Sequence, residues 1–252
     1  MYSKNEIKQV IFRIDLEGND QSLIQYNQNF IATVLQYYKV AQPEELDRQF
    51  SFTQDPANFA NIQTIITEII TKKYTSPDGI LIIRFNKNAI IFESSCYSSF
   101  EDFMANIKPI VKCFYEINDK AVISRIGLRF INIFSQNNYV VRDFSTKYKA
   151  FLTGVQEVEN MKPIQSICHE EFSCDDIRAV INFGYYNPTA PSNLNVKDIL
   201  LDIDAIHFGT VNNIEDVNRI IDHSHVIIKS LFNTYISDYM RKKLGEDDGE
   251  NK

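Results

Sequence analysis

The stretch SRIGLRFINIF, residues 124–134, decides the fold. Its apolar content reads as a strand, yet it holds two arginines around a glycine and an asparagine among large hydrophobic residues. Successive side chains of a strand point to opposite faces. One face of 122–134 therefore carries Val122, Ser124, Ile126, Leu128, Phe130, Asn132 and Phe134, largely a core stripe. The other carries Ile123, Arg125, Gly127, Arg129, Ile131 and Ile133. Asn132 in a core stripe has a structural role, because a buried amide left unpaired costs roughly 1–3 kcal/mol. Gly127 leaves a gap that admits a neighbouring backbone, a large side chain or a ligand. Two readings of Arg125, Gly127 and Arg129 follow. In the structural one, the guanidinium groups pair with carboxylates on an adjacent strand or a packed helix. In the functional one, they line a binding site for an anion or a partner, held bidentately.

The same alternation occurs in IKQVIFRIDLE (7–17), which is a strand followed by a helix over about 27–38. RQFSFTQ and the Ile- and Thr-rich NIQTIITEIITKKYT are read as strands. SPDG (76–79) reverses the chain, and ILIIRF and AIIFESS form a hairpin around NKN. From Ser98 the apolar period becomes three and four, predicting a helix over 99–117 with Ser98 and Glu101 as a capping box and a kink at Pro109. The second half repeats this order. A polar connection has one short helix near 143–151, IQSICHEEFS and IRAVINFGYY make a hairpin at CDD, and VKDILLDIDAIHF is a strand. A long terminal helix runs to about 244, and GEDDGENK is a charged tail of disordered composition.

One offset of 114 residues relates the halves. Phe100, Phe103, Ile107, Phe114 and Ile117 fall on Ile214, Val217, Ile221, Ile228 and Leu231. AIIFESS falls on IDAIHFG, and 7–17 falls on 121–131. The expected fold class is α+β: antiparallel sheets backed by long helices, with an internal duplication of a strand–helix–strands–helix unit. The first half spans 1–118, the second 119–243, and 244–252 is a disordered acidic tail. Strands and helices do not alternate as a doubly wound parallel sheet requires.

A net charge of -7 argues against general nucleic-acid binding. The first residues lack signal-peptide character and no apolar run is long enough to span a bilayer, so a cytoplasmic location without membrane attachment is expected. Cys96, Cys113, Cys168 and Cys174 form no C-x-x-C pair and are read as reduced thiols. CHEEFSC (Cys168, His169, Cys174) offers too few ligands for a metal. In DHSH, His223 and His225 are two residues apart and do not share a helix face, so they do not make a joint metal site. Asp202 and Asp204 share a strand face with His207 on the other, the pattern of a half-buried strand. Phosphate-binding loops, the G-x-S-x-G elbow and H-E-x-x-H are absent. No catalytic residue, cofactor or metal is assigned.

RIGLRFIN in mid-chain, with YSSFEDF before it and LFNTYISDYMR downstream, resembles a sporadically distributed prokaryotic protein family. The resemblance covers most of the chain in motif order. Its patchy distribution implies horizontally moved genes and accessory roles such as phage defence, and no activity carries over. The expected function is a non-enzymatic binding or scaffolding protein that acts with a partner protein. The alternative is a small-molecule or nucleotide sensor in a sheet–helix concavity, with an unrecognised enzyme as the third reading. A small anionic ligand and a homodimer are both compatible with the sequence.

Overall fold

A computed structural model describes residues 6–17, 27–55, 58–118, 122–146, 148–149, 152 and 163–245. The strands are β1 (Ile7–Glu17), β2 (Val40–Ala41), β3 (Glu45–Asp55), β4 (Asn58–Thr75), β5 (Leu81–Phe85), β6 (Ala89–Ser94), β7 (Val122–Phe134), β8 (Ser166–Cys174), β9 (Ile177–Tyr186) and β10 (Asp198–Val211). The helices are α1 (Gln28–Tyr37), α2 (Phe100–Ala105), α3 (Lys108–Ile117), α4 (Ile214–Tyr235) and α5 (Asp238–Lys243). The fold is α+β, with one large antiparallel sheet.

The strand order is β2-β4-β5-β6-β1-β7-β10-β9-β8, with β3 paired to β4. The expectation of separate sheets is corrected here, because β1 and β7 pair along their length and join everything into one. Val10, Phe12 and Ile14 of β1 and Ile126, Leu128, Phe130 and Phe134 of β7 are buried on one face. The helices pack on that face, where Phe30 meets Phe85 edge-on at 5.1 Å and Phe12 stacks on Phe92 at 5.8 Å.

The face assignment for SRIGLRFINIF holds from Ile126 to Phe134 but fails at its start. Ile123 is fully buried while Val122 and Ser124 are not. The cause is a bulge: Asp15 pairs with Arg125 and Leu16 with Ile123, so Ser124 is skipped and the parity of the strand changes.

Three helix expectations are corrected. The cap before α2 is Ser99, whose hydroxyl accepts from Asp102 N at 3.0 Å, one residue later than the Ser98–Glu101 pair. Pro109 does not kink one helix; the chain divides into α2 and α3, with the proline in the first turn of α3, where its missing N–H has no cost. The terminal helix breaks at Ile236, whose backbone is extended, and Ser237 caps α5 through Met240 N. Asp143 ties this end down. It is fully buried, its carboxylate accepts from Val140 N at 2.8 Å and Lys243 Nζ at 3.1 Å, and its carbonyl accepts from Ser237 N. Leu244 is buried as well, while 246–252 lie outside the described residues.

The strands before α2 and α4 are not in the expected register. Phe12 pairs with Phe92, but Ile126 pairs with His207 rather than Ile206. The core face of β10 is therefore Ile199, Leu201, Ile203, Ala205 and His207, one residue out of step with an offset of 114. The extra residue is absorbed where β10 loses register between Phe208 and Val211, next to Gly209 at φ 150°.

Candidate functional site

Among the described residues the second face of the central sheet carries no helix. Pairing sets its surface: Arg125 opposite Asp15 and Phe208, Gly127 opposite Arg13 and Ile206, and Arg129 opposite Ile11 and Asp204. Ile11, Ile91, Ile131, Ile133, Val180 and Leu200 are half-buried there, and Phe208 is 56% exposed.

Polar groups on this face are joined in rows. Arg125 Nη1 donates to Asp15 Oδ2 at 3.1 Å, and Arg13 Nε to Asp15 Oδ1 at 2.6 Å. Arg129 holds Asp202 with two bonds, Nε to Oδ1 at 2.8 Å and Nη2 to Oδ2 at 2.7 Å. Asn182 Nδ2 donates to the same carboxylate at 3.2 Å, and its Oδ1 lies 2.8 Å from His169 Nδ1. His169 Nε2 lies 2.9 Å from Glu171, which also accepts from Arg178. A continuous row thus crosses β7, β10, β9 and β8. A second row joins Gln9 to Glu93 at 2.7 Å and Glu93 to Arg84.

The gap over Gly127 is filled by the protein itself. A Cβ there would meet Arg125 Nη2 at 3.4 Å and Asp204 Oδ1 at 3.8 Å. Asp204 is half-buried, and burial pushes its carboxyl up to about 6 in spite of Arg125 and Arg129 nearby. Glu171, held by Arg178 and then His169, is drawn down to about 2. Asp202 is more than the solvated strand residue that its alternation implied: it is 4% exposed and depends on Arg129 and Asn182.

Asn132 faces the core side. It is 3% exposed, and its Nδ2 donates to Leu201 O at 3.0 Å, across the pairing of β7 with β10. It borders a cavity of about 290 Å³ between sheet and helices, lined also by Tyr97, Phe100, Phe130, His225 and Phe232. His225 stacks on Phe100 with ring centroids 3.8 Å apart, and burial lowers its tendency to protonate. His223 lies on the other flank of α4, near the β8–β9 turn.

CHEEFSC does not act as a clasp. His169 points to the open face, while Cys168 lies on the side of the core and Cys174 is exposed at the strand end. Asp204 could not be recognised from sequence as a perturbed acid, because the arginines around it come from β1 and β7, far away in the chain. No helix among the described residues is long and apolar enough to cross a membrane. Neither the protein-family models nor the curated proteins contain a match to the chain.

Proposed function

We propose that the chain is a non-enzymatic binding or scaffolding protein that docks a partner protein on the open face of its sheet. The supporting observation is the composition of that face: half-buried Ile131, Ile133 and Leu200 at one end of the β7–β10 pair and exposed Phe208 at the other, with arginines already paired with carboxylates between them. Such a surface offers apolar side chains on either side of arginines whose charges are paired, so a partner can cover it without stranding them. The pairing of Arg125 and Arg129 speaks for support of the surface rather than for capture of a free anion. The resemblance of RIGLRFIN and its flanking motifs supports an accessory or phage-defence setting for that partner. Tagged chain from the native host should retain a stoichiometric protein whose binding protects β7 and β10 from hydrogen exchange. Phe208→Asp should abolish retention without a change in melting temperature. Equal retention by the variant, or protection elsewhere, would refute the reading.

The second reading, a small-molecule or nucleotide sensor, is favoured by the cavity beside Asn132 and the stacked pair of His225 and Phe100. Its test is native mass spectrometry of protein from the host: a bound small molecule lost in Phe130→Trp supports it.

We also infer that the two halves are copies of one unit. The strand order runs outward from β1 as β6, β5, β4 and from β7 as β10, β9, β8. The helix caps Ser99 and Asn213, and the buried pairs Phe103 and Val217, Ile107 and Ile221, and Phe114 and Ile228, keep the offset of 114 residues. Superposition of residues 7–117 on 122–235 that failed to overlay these pairs would overturn the duplication.

A further inference from the structure

The two-residue turn between β8 and β9 collects ligand-type side chains from three elements. Cys174 closes β8 and pairs with Ile177; Asp175 follows at φ 52°, then Asp176. Cys174 Sγ, an Asp175 carboxylate oxygen and a ring nitrogen of His223 all lie within 4.8 Å of one another. His223 Nε2 is 4.0 Å from Asp175 Oδ2. Beside them His207, 8% exposed, turns Nδ1 to within 3.1 Å of Asp176 Oδ2 but makes no hydrogen bond.

We propose that Cys174, Asp175 and His223 form a binding site for a divalent transition metal of the zinc class. A sulfur, an imidazole nitrogen and a carboxylate oxygen together select zinc-like ions over magnesium or calcium, which take oxygen alone. Zinc binds such atoms at about 2.0–2.3 Å, so a tetrahedral centre holds them about 3.4–3.6 Å apart. Closing the 4.0 Å gap between His223 and Asp175 needs a shift of about half an ångström. Cys174 and Asp175 are exposed and their side chains are free to make it, while strand pairing with Ile177 fixes the backbone of Cys174. His223 is held by α4, whose Ile220, Ile221, Ser224 and Ile227 are buried.

The charge balance of the turn points the same way. Among the described residues the ionic partners of Asp175 and Asp176 are the two histidines, His223 and His207, and neither is a lysine or arginine. Among the described residues these two adjacent carboxylates thus have no permanently charged cation as partner. Buried His207 turns its Nδ1, which makes no hydrogen bond, to Asp176 in the same turn. Binding displaces the Cys174 thiol proton to solvent, so affinity falls as the solution becomes more acidic. Three protein ligands leave the fourth position for water or another donor, as in labile and catalytic zinc sites.

Cobalt(II) is the probe, since a thiolate ligand gives it a charge-transfer absorption and tetrahedral geometry gives intense visible bands. Untagged, reduced chain titrated with cobalt(II) should saturate at one equivalent, and zinc(II) should bleach the signal. Cys174→Ser should remove the charge-transfer band. His223→Ala should weaken binding by more than the roughly tenfold that loss of an outer partner costs. Cys96→Ser, at an exposed cysteine elsewhere, should bind as the wild type does. Far-ultraviolet circular dichroism verifies that each variant is folded. No saturable band in the wild type, or a band that survives Cys174→Ser, overturns the site.

Discussion

Asp204 offers the sharpest test of how the open face is built. Its carboxyl sits among Arg125, Arg129, Arg13 and Asp202, and burial outweighs the arginines to push it up to about 6. An ordinary aspartate in the unfolded chain titrates near 4. Between about pH 4 and pH 6 the native state therefore binds more protons at this site than the unfolded state, and its contribution to stability falls as pH rises through that window. Two units at about 1.36 kcal/mol each set the penalty at pH 7 at no more than about 3 kcal/mol. Asp204→Asn keeps the shape and removes the charge. The variant should be more stable than the wild type at pH 7, and the gain should vanish towards pH 4. Urea unfolding at intervals from pH 3.5 to 7.5 reads the difference directly, because all other titrating groups cancel. A variant less stable at pH 7, or a difference that stays flat from pH 4 to 6, would show that the arginines dominate and that this account of the site is wrong.

The partner of Arg129 can be tested in a double-mutant cycle. Arg129→Gln should cost about 2–4 kcal/mol, somewhat under the 3–5 of a fully buried pair because Arg129 is 40% exposed, and Asp202→Asn in the same chain should recover at least about 1 kcal/mol. Asn132→Ala strands the Leu201 carbonyl in a dry place and should lower the unfolding free energy by about 1–3 kcal/mol; a change under about 0.5 in urea melts would contradict its burial. Tyr148→Phe deletes a hydroxyl that accepts from Gly184 N at 2.9 Å and donates to Leu200 O, so about 1–3 kcal/mol should be lost in thermal or urea unfolding.

Much of this fold was legible because its strands and helices carry clear periods. The even residues of SRIGLRFINIF from Ile126 onward are the core face, and the Ile- and Thr-rich stretch after residue 58 is a strand, as β-branched content implies. The failures have local physical causes. A bulge at Ser124 changes parity without leaving a mark in composition. The capping hydroxyl could be Ser98 or Ser99, and only the backbone geometry chooses between them. The one-residue shift of β10 is hidden because Ile206 and His207 are both buried, so either parity gives an acceptable pattern. At the open face, alternation placed Arg125 and Arg129 side by side but could not supply Asp15 and Asp202, which come from neighbours more than seventy residues away in sequence.

The ionic rows also bear on how a partner would approach. A sheet offers two kinds of surface, its face and its edges, and unpaired edges invite strand addition. The β8 edge has Glu170 and Glu171 in its middle, with His169 beside them. A strand added there would bring its own backbone against these charged side chains, which oppose such pairing. The face is different. Its main ion pairs are already closed: Arg129 with Asp202, Arg125 with Asp15, Arg178 with Glu171. Covering these pairs therefore leaves none of their ions alone, whereas the Ile131, Ile133 and Phe208 side chains on either side of them gain by leaving water. On the docking reading proposed above, a partner would lie flat across β7 and β10. Breaking one ion pair on that face should weaken docking even where the broken pair touches nothing on the partner, since the orphaned charge must then be buried without compensation.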